Sequence, residues 1–233
     1  MNHAASLSFF FPAYNEEDNV RPMVENALRI LGPYAERLQV VIVDDGSRDG
    51  TADVGRRLAA ENPSVTYVRH ETNRGYGEAI RSGLNASTGE LVFFSDGDRQ
   101  FDLAEISRLW DRLEDADLVV GYRIKRADPP HRLVIAETYN RILRRLFGIR
   151  IRDVDCAFKL MRAEVAHTVQ PTSGGAFFSA EFVLRANARG YRIVEVGVTH
   201  LPRTAGRSKG ATPAVILRTF REMFALRRVL RKS

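Results

Sequence analysis

Asp96 and Asp98 stand one residue apart at the end of an apolar run, "LVFFSDGDRQF", with Gln100 two residues further on. Carboxylates brought this close repel one another unless a cation lies between them. An i, i+2 pair of hard oxygen donors followed by a carboxamide suits Mg²⁺ or Mn²⁺. Such an ion would bridge to the phosphates of a ligand and neutralise a leaving diphosphate as a Lewis acid. A second acidic pair, Asp44-Asp45, closes the run "QVVIVDD". Either pair alone is ordinary turn chemistry; both on the ends of buried runs point to one acidic pocket.

The elements that must position these groups follow from the hydrophobic period. "LSFFFPAY" (7–14), "QVVIVDD" (39–45), "VTYVRH" (65–70), "ELVFFSD" (90–96) and "ADLVVGYR" (116–123) read as strands too apolar to face water. Helical repeats lie between them, the first capped by Asn15 and stopped at Gly32-Pro33, and another capped by Asp102. Strand–helix units of this length imply a mostly parallel sheet covered on both faces, an α/β fold. In such sheets ligands collect outside the C-terminal strand ends, where the acidic pairs fall, with Arg123 on the fifth strand. Beyond Arg123 the pattern predicts a helix over 131–147, a strand in "CAFKLMR", a helix over 179–190, a strand over 191–201 and a final helix over 213–233.

Composition narrows the function classes. The 233 residues suit one large domain, or a core with an appendage, and are 44% hydrophobic and 27% charged. A single cysteine, Cys156, excludes an internal disulfide and argues against a cysteine metal site. Neither a secretory signal nor an apolar stretch of about 18 residues occurs, so the chain reads as soluble or peripheral, in a reducing, cytoplasmic setting. The loop after the first strand has no G-x-G-x-x-G, its acids would repel a bare pyrophosphate, and the P-loop pattern is absent, which disfavours the usual dinucleotide and nucleotide folds.

The net charge of +6 is unevenly placed. His200 to Ser233 holds nine of the 35 basic side chains against one acid, Glu222, leaving a slight acidic excess before it. That tail points to an anionic partner, a membrane surface or nucleic acid.

Seven stretches occur in a recognisable order: "FFFPAYNEEDNV", "VIVDDGSRDGT", "NRGYGEAIRSGL", "FFSDGDRQFDLAEI", "VVGYRIKR", "DVDCAFKLMR" and "RTAGRSK". Together, over about residues 6–210, they resemble the inverting family 2 glycosyltransferases of the GT-A fold, and within them the polyprenyl-phosphate (dolichyl-phosphate-type) hexosyltransferases. The resemblance implies a Rossmann-like central sheet, a nucleotide-diphosphate hexose donor (GDP- or UDP-linked), a lipid-phosphate acceptor and a Mg²⁺ or Mn²⁺ cofactor. By position, Pro12, Tyr14, Glu16 and Val43 would line the nucleoside pocket and Asp45 would meet the base or ribose. Asp96, Gly97, Asp98 and Gln100 would form the metal and diphosphate site, with Asp98 central to catalysis. Arg123 would lie near the sugar or diphosphate. Arg203, Ser208 and Lys209 would bind phosphate of donor or acceptor, on a loop whose Gly206 and Gly210 allow closure. Arg74 is a further nucleotide contact or simply a loop residue. Asp153 and Asp155 would orient acceptor or sugar, although relatives often read D-x-x-S-G-F where this chain has Cys156 and Ala157. His131, His167 and His200 read as structural or surface residues.

The division expected is a catalytic domain over 1–210 and a basic amphipathic helix over 211–233. Ile216, Phe220, Met223, Leu226 and Leu230 fall on one face of that helix and Arg218, Arg221, Arg228 and Lys232 opposite. Such a helix lies in a bilayer interface, packs its stripe on the core, or receives a membrane-embedded subunit. The membrane reading places the protein at the inner face of the cytoplasmic membrane. The competing readings are the same donor chemistry on a glycan or protein, a nucleic-acid module driven by the tail, and a Mg²⁺-dependent phosphatase. The nucleic-acid reading leaves the acidic strand ends unexplained, and the phosphatase lacks an acidic nucleophile after strand one; no nucleic-acid partner is therefore expected.

Overall fold

Strands form where the apolar runs predict them, because a run buried on both faces needs a sheet with helices above and below. They are β1 (Ala4–Ala13), β2 (Ala35–Asp44), β3 (Val65–Arg69), β4 (Leu91–Ser95), β5 (Leu118–Ile124), β6 (Phe158–Arg162) and β7 (Ile193–Thr199). The structure, a computed structural model, describes residues 3–124, 130–202 and 213–231. Among these the strands build one sheet in the order β3-β2-β1-β4-β6-β5-β7. Every pairing is parallel except those of β6, which runs antiparallel to β4 and β5.

The helices are α1 (Glu17–Leu31), α2 (Thr51–Glu61), α3 (Tyr76–Ala86), α4 (Ile106–Trp110), α5 (Pro130–Phe147), α6 (Ala163–Thr168), α7 (Phe178–Ala188) and α8 (Pro213–Leu230). The core is aromatic at its centre: Phe9, Phe93 and Phe158 bring three neighbouring strands together, with ring centroids 5.2 and 4.8 Å apart. Gly83 lets α3 rest on Phe10, since a Cβ there would stand 2.2 Å from that ring.

Two local expectations change. Asn15 does not cap α1. Glu16 occupies the cap position, Asn15 sits in the left-handed region at φ 56°, and its side chain accepts from the backbone N–H of Arg48 at 2.9 Å. Asp102 does cap, accepting from Ala104 N at 3.0 Å, but what it caps is a 3₁₀ turn that leads into the short α4.

The strand order decides where a ligand can lie. Order reverses between β1 and β4, the switch point at which adjacent loops part and leave a crevice. Because β6 is antiparallel, the loop before it (residues 153–157) reaches the same edge as the C-terminal ends of the other strands. Segments distant in the chain thus share one rim.

Candidate active site

The loop after β4 sits at the switch point. Gly97 packs so closely on the end of β1 that a Cβ would stand 2.6 Å from the Pro12 carbonyl oxygen. Arg99 follows in the left-handed region at φ 60°, unusual for a residue with a side chain. This tight path turns Asp96, Asp98 and Gln100 onto a single cleft of about 1270 Å³. Asp96 accepts from the Tyr76 hydroxyl at 2.8 Å. Burial and then the neighbouring Asp98 push its carboxyl up to about 7, as like charges held close together do. The same burial and acids raise the Tyr76 hydroxyl well above its ordinary range, so it stays a donor. The Gln100 side-chain nitrogen donates to the Leu201 carbonyl at 3.0 Å, and the Gln100 carbonyl accepts from Leu201 N at 2.8 Å. Gln100 therefore ties the acidic loop to the entry of the segment 203–212. Carboxylate oxygens with one nearby carboxamide are a donor set that fits a hard divalent ion.

β5 and the loop before β6 bring a second pair into the cleft. Arg123 donates from Nε and Nη2 to the two oxygens of Asp153, at 2.7 and 2.8 Å, a bidentate fork. Burial opposes the guanidinium charge, but this carboxylate more than offsets it and the arginine pKa is raised. Beneath them lies Lys159, fully buried on β6. Its ammonium donates to the Val154 and Cys156 carbonyls and to Ser179 Oγ, the last at 2.7 Å. Burial lowers its pKa. Lys159 pins the 153–157 loop to the start of α7. Cys156 is buried beside it, its thiol pushed up to about 12 by burial and Asp153, which keeps it inert.

On the other side of the switch point the acids behave differently. Asp44 is fully buried and accepts from Tyr67 OH at 2.6 Å and Ser47 N at 2.8 Å. Asp45 accepts from the backbone N–H groups of Arg74 and Gly75, at 2.8 and 2.9 Å, and faces His70 Nδ1 at 2.7 Å. Any nucleoside contact by Asp45 shares a carboxylate already holding three donors. Val43 is buried in the sheet, and Glu16 accepts from Asn19 at 2.6 Å. Pro12, Tyr14, Glu16, Val43 and Asp45 gather at the ends of β1 and β2 without lining the large cleft, whereas Arg74, 3.5 Å from Glu78, lines it.

The far wall comes from elements the sequence did not link to the site. Val134, Ile135 and Tyr139 of α5 and Val215, Arg218 and Phe220 of α8 line the cleft. The segment 173–175 bridges them to the donor side: Gly174 O accepts from Gly77 N at 3.2 Å, at the start of α3. Ser173 Oγ donates to Glu222 of α8 at 2.8 Å.

α8 packs in one of the ways expected of it. Its stripe is turned inward, with Met223 and Leu226 buried in the core and Phe220 and Leu230 packed against it. What it exposes instead is Leu217, Phe224 and Val229.

Arg123, Asp153, Asp96, Asp98, Gln100 and Arg74 thus come together. Arg203, Ser208 and Lys209 lie outside the described residues. Tyr76, Lys159 and Arg218 were missed. A lysine inside the apolar strand "CAFKLMR" was the one legible signal among them, since a buried ammonium needs a purpose-built set of acceptors.

A mostly parallel α/β sheet with an acidic pair at its switch point opens on one large cleft, the architecture of a nucleotide-binding α/β class. The chain belongs to glycosyl transferase family 2, whose profile matches residues 8–169. Its fold is that of the GT-A neighbours among solved structures. A dodecaprenyl-phosphate galacturonate synthase of Rhizobium johnstonii is 32% identical over 228 residues, covering 96% of this chain and 66% of that protein. A polyprenol monophosphomannose synthase of Mycolicibacterium smegmatis is 32% identical over 211 residues, covering 85% and 78%. An undecaprenyl-phosphate 4-deoxy-4-formamido-L-arabinose transferase of Edwardsiella ictaluri is 30% identical over 206 residues, covering 87% and 62%. The chain therefore spans just under two thirds of the first and third of these relatives. Among solved structures, glucosyl-3-phosphoglycerate synthase from Mycobacterium tuberculosis with Mn²⁺, UDP and glucosyl-3-phosphoglycerate superposes with a TM-score of 0.74 at 19% identity, covering 95% of this chain and 80% of that one. The same synthase has also been solved with Mg²⁺ and UDP. Among the described residues, no helix is long and apolar enough to cross a membrane.

Proposed function

We propose that this chain moves a hexose from a nucleotide-diphosphate sugar, UDP- or GDP-linked, to a polyprenyl phosphate, with inversion at the anomeric carbon. The observation that carries the reading is the make-up of one cleft. Its floor is acidic, with Asp96 and Asp98, while its far wall is apolar, with Val134, Ile135, Val215 and Phe220. A polar donor and an acceptor that joins a phosphate to a hydrocarbon chain can therefore meet in one cavity.

Asp96 and Asp98, with Gln100 close by, would hold Mg²⁺ or Mn²⁺, and the bound ion supplies Lewis-acid stabilisation of the leaving diphosphate. The fork from Asp153 fixes Arg123, leaving Nη1 for an oxygen of the sugar or diphosphate. Pro12, Tyr14, Glu16 and Val43 shape the nucleoside end, and Asp45 holds the Arg74–Gly75 loop against it. A lipid monophosphate is largely dianionic near neutral pH, its second pKa being about 6, so no strong general base is required. It needs cations that hold it in line, the role assigned to Arg203, Ser208 and Lys209.

Leu217, Arg221, Phe224 and Arg228 recur at helical spacing on the outward face of α8 and are all exposed. That face, apolar and basic together, is where the protein rests on an anionic bilayer at the cytoplasmic side. The test is transfer of radiolabelled hexose from a panel of nucleotide sugars to a short polyprenyl phosphate, with Mg²⁺, Mn²⁺ or EDTA. Metal-dependent label in the lipid is expected. Label appearing only in a soluble glycan or in water would overturn the reading.

A further inference from the structure

The cleft contains a cation whose counter-charge lies outside it. Among the described lining residues, Arg74 faces Glu78 and Arg123 is forked by Asp153, and both acids line the cleft as well. Each pair brings no net charge. Arg218 differs. It lines the cleft, yet its partner Glu222, 2.8 Å from Nε, does not. Glu222 is itself held by the Ser173 hydroxyl at 2.8 Å. Only Nε of Arg218 is used, so its two terminal nitrogens make no hydrogen bond among the described residues. The guanidinium lies over a pair of glycines: a Cβ on Gly175 would stand 3.5 Å from Arg218 Cζ, and one on Gly174 3.9 Å from Nη2. The guanidinium thus packs at van der Waals distance along this backbone. Beside it on α8 stand Val215 and Phe220, with Val134 and Ile135 of α5 on the same wall.

We propose that Arg218 is a specificity-determining residue that binds the phosphate of an isoprenoid-phosphate acceptor, with Ser173 and Glu222 as its positioning residues. This rests on the lipid-phosphate reading above and deepens it. A guanidinium fork pairs with phosphate oxygens through two donors at once, and flanking apolar side chains take the first carbons of the chain. The acids lining the cleft repel a dianionic acceptor, and a cation that also lines it helps to seat one. α8 is then part of the acceptor site as well as a membrane-facing helix.

The test uses a short, water-soluble isoprenyl phosphate, so that bilayer contact by α8 cannot mimic the effect, and the isoprenyl alcohol of equal length. Binding to the full chain is measured by calorimetry in EDTA for wild type, R218M and R218K. Losing a charge-assisted contact predicts phosphate binding weakened about tenfold to a hundredfold in R218M, partly recovered in R218K. The alcohol's affinity should be the same for all three. In transfer assays, R218M should raise the acceptor KM by a similar factor and leave the donor KM within about twofold. E222Q, which frees the guanidinium to swing, should show a smaller rise in the same parameter. Equal binding of the phosphate by wild type and R218M, or none by wild type, overturns the assignment. Wild-type binding that depends on Arg218, without transfer from any donor, would uphold the site and sink the proposed reaction.

Discussion

Two acidic pairs end two strands of this sheet, and they lead different lives. Asp44 and Asp45 are saturated: a tyrosine, a histidine and three backbone N–H groups meet their carboxylates, and neither residue lines the cleft. Asp96 and Asp98 face the cleft, and the carboxyl of Asp96 is pushed up to about 7 by burial and by Asp98. Carboxylates whose charge is answered by the protein build loops. A pair that opens on a large cleft builds a site.

The sharpest way to break this comparison is to remove one charge from each pair. Asp98→Asn should lower transfer about 10²–10³-fold, measured as kcat with saturating metal, and leave the folded state close to wild type. EDTA should do the same to wild type, reversed by Mg²⁺ or Mn²⁺. Asp45→Ala should instead cost about 3 kcal/mol in urea denaturation, the scale of a broken buried charge network. A destabilised Asp98→Asn, or an Asp45→Ala of full stability without activity, would reverse the assignment of the two pairs.

A pH experiment sharpens the comparison further. Asp96 in the folded protein titrates near 7, above its ordinary 3.8. The folded state therefore binds this proton more tightly, and the stability Asp96 contributes in the absence of metal is fully present below about pH 4 and is lost as pH rises to about 7. Asp96→Asn removes that slope. In EDTA the variant should melt higher than wild type at pH 8, by a few kcal/mol at most, and alike at pH 4. Divalent metal should close the gap at pH 8 by stabilising wild type alone. A variant that melts lower in EDTA at pH 8 would refute the raised carboxyl of Asp96.

The smallest effect concerns the bridge between donor and acceptor walls. A Cβ at Gly77 would stand 2.7 Å from the Gly174 carbonyl carbon. Gly77→Ala should push the 173–175 segment away at a cost of about 1–2 kcal/mol and raise both substrate KM values a few-fold. No change in either KM would show that the bridge does not couple the walls.

Much of this was legible in the chain. Apolar runs and helical repeats placed every strand of the sheet to within a few residues, because burial on both faces leaves a period that is hard to mistake. The short α6, packed between β6 and the following loop, was not foreseen; it is too brief to carry a periodic signal. Asn15 was misread for a related reason. Its type suits a cap, but the cap position fell to Glu16 once the Asn15 side chain found the Arg48 N–H across the loop.

The sequence by itself determined the α/β class, the acidic strand ends and the hard-ligand chemistry of "SDGDRQ", all of which depend on residue type and local spacing. Tertiary structure alone decided which acids hold the protein's own loops and which line the cleft, since Asp45 is met by donors from a loop about 25–30 residues away. It also decided that β6 runs antiparallel, which carries Asp153 to Arg123 and seats Lys159 beneath them. It turned the stripe of α8 inward and its arginine toward the cleft. A helix carries its apolar face wherever it goes; which neighbour covers that face is settled only when the elements pack.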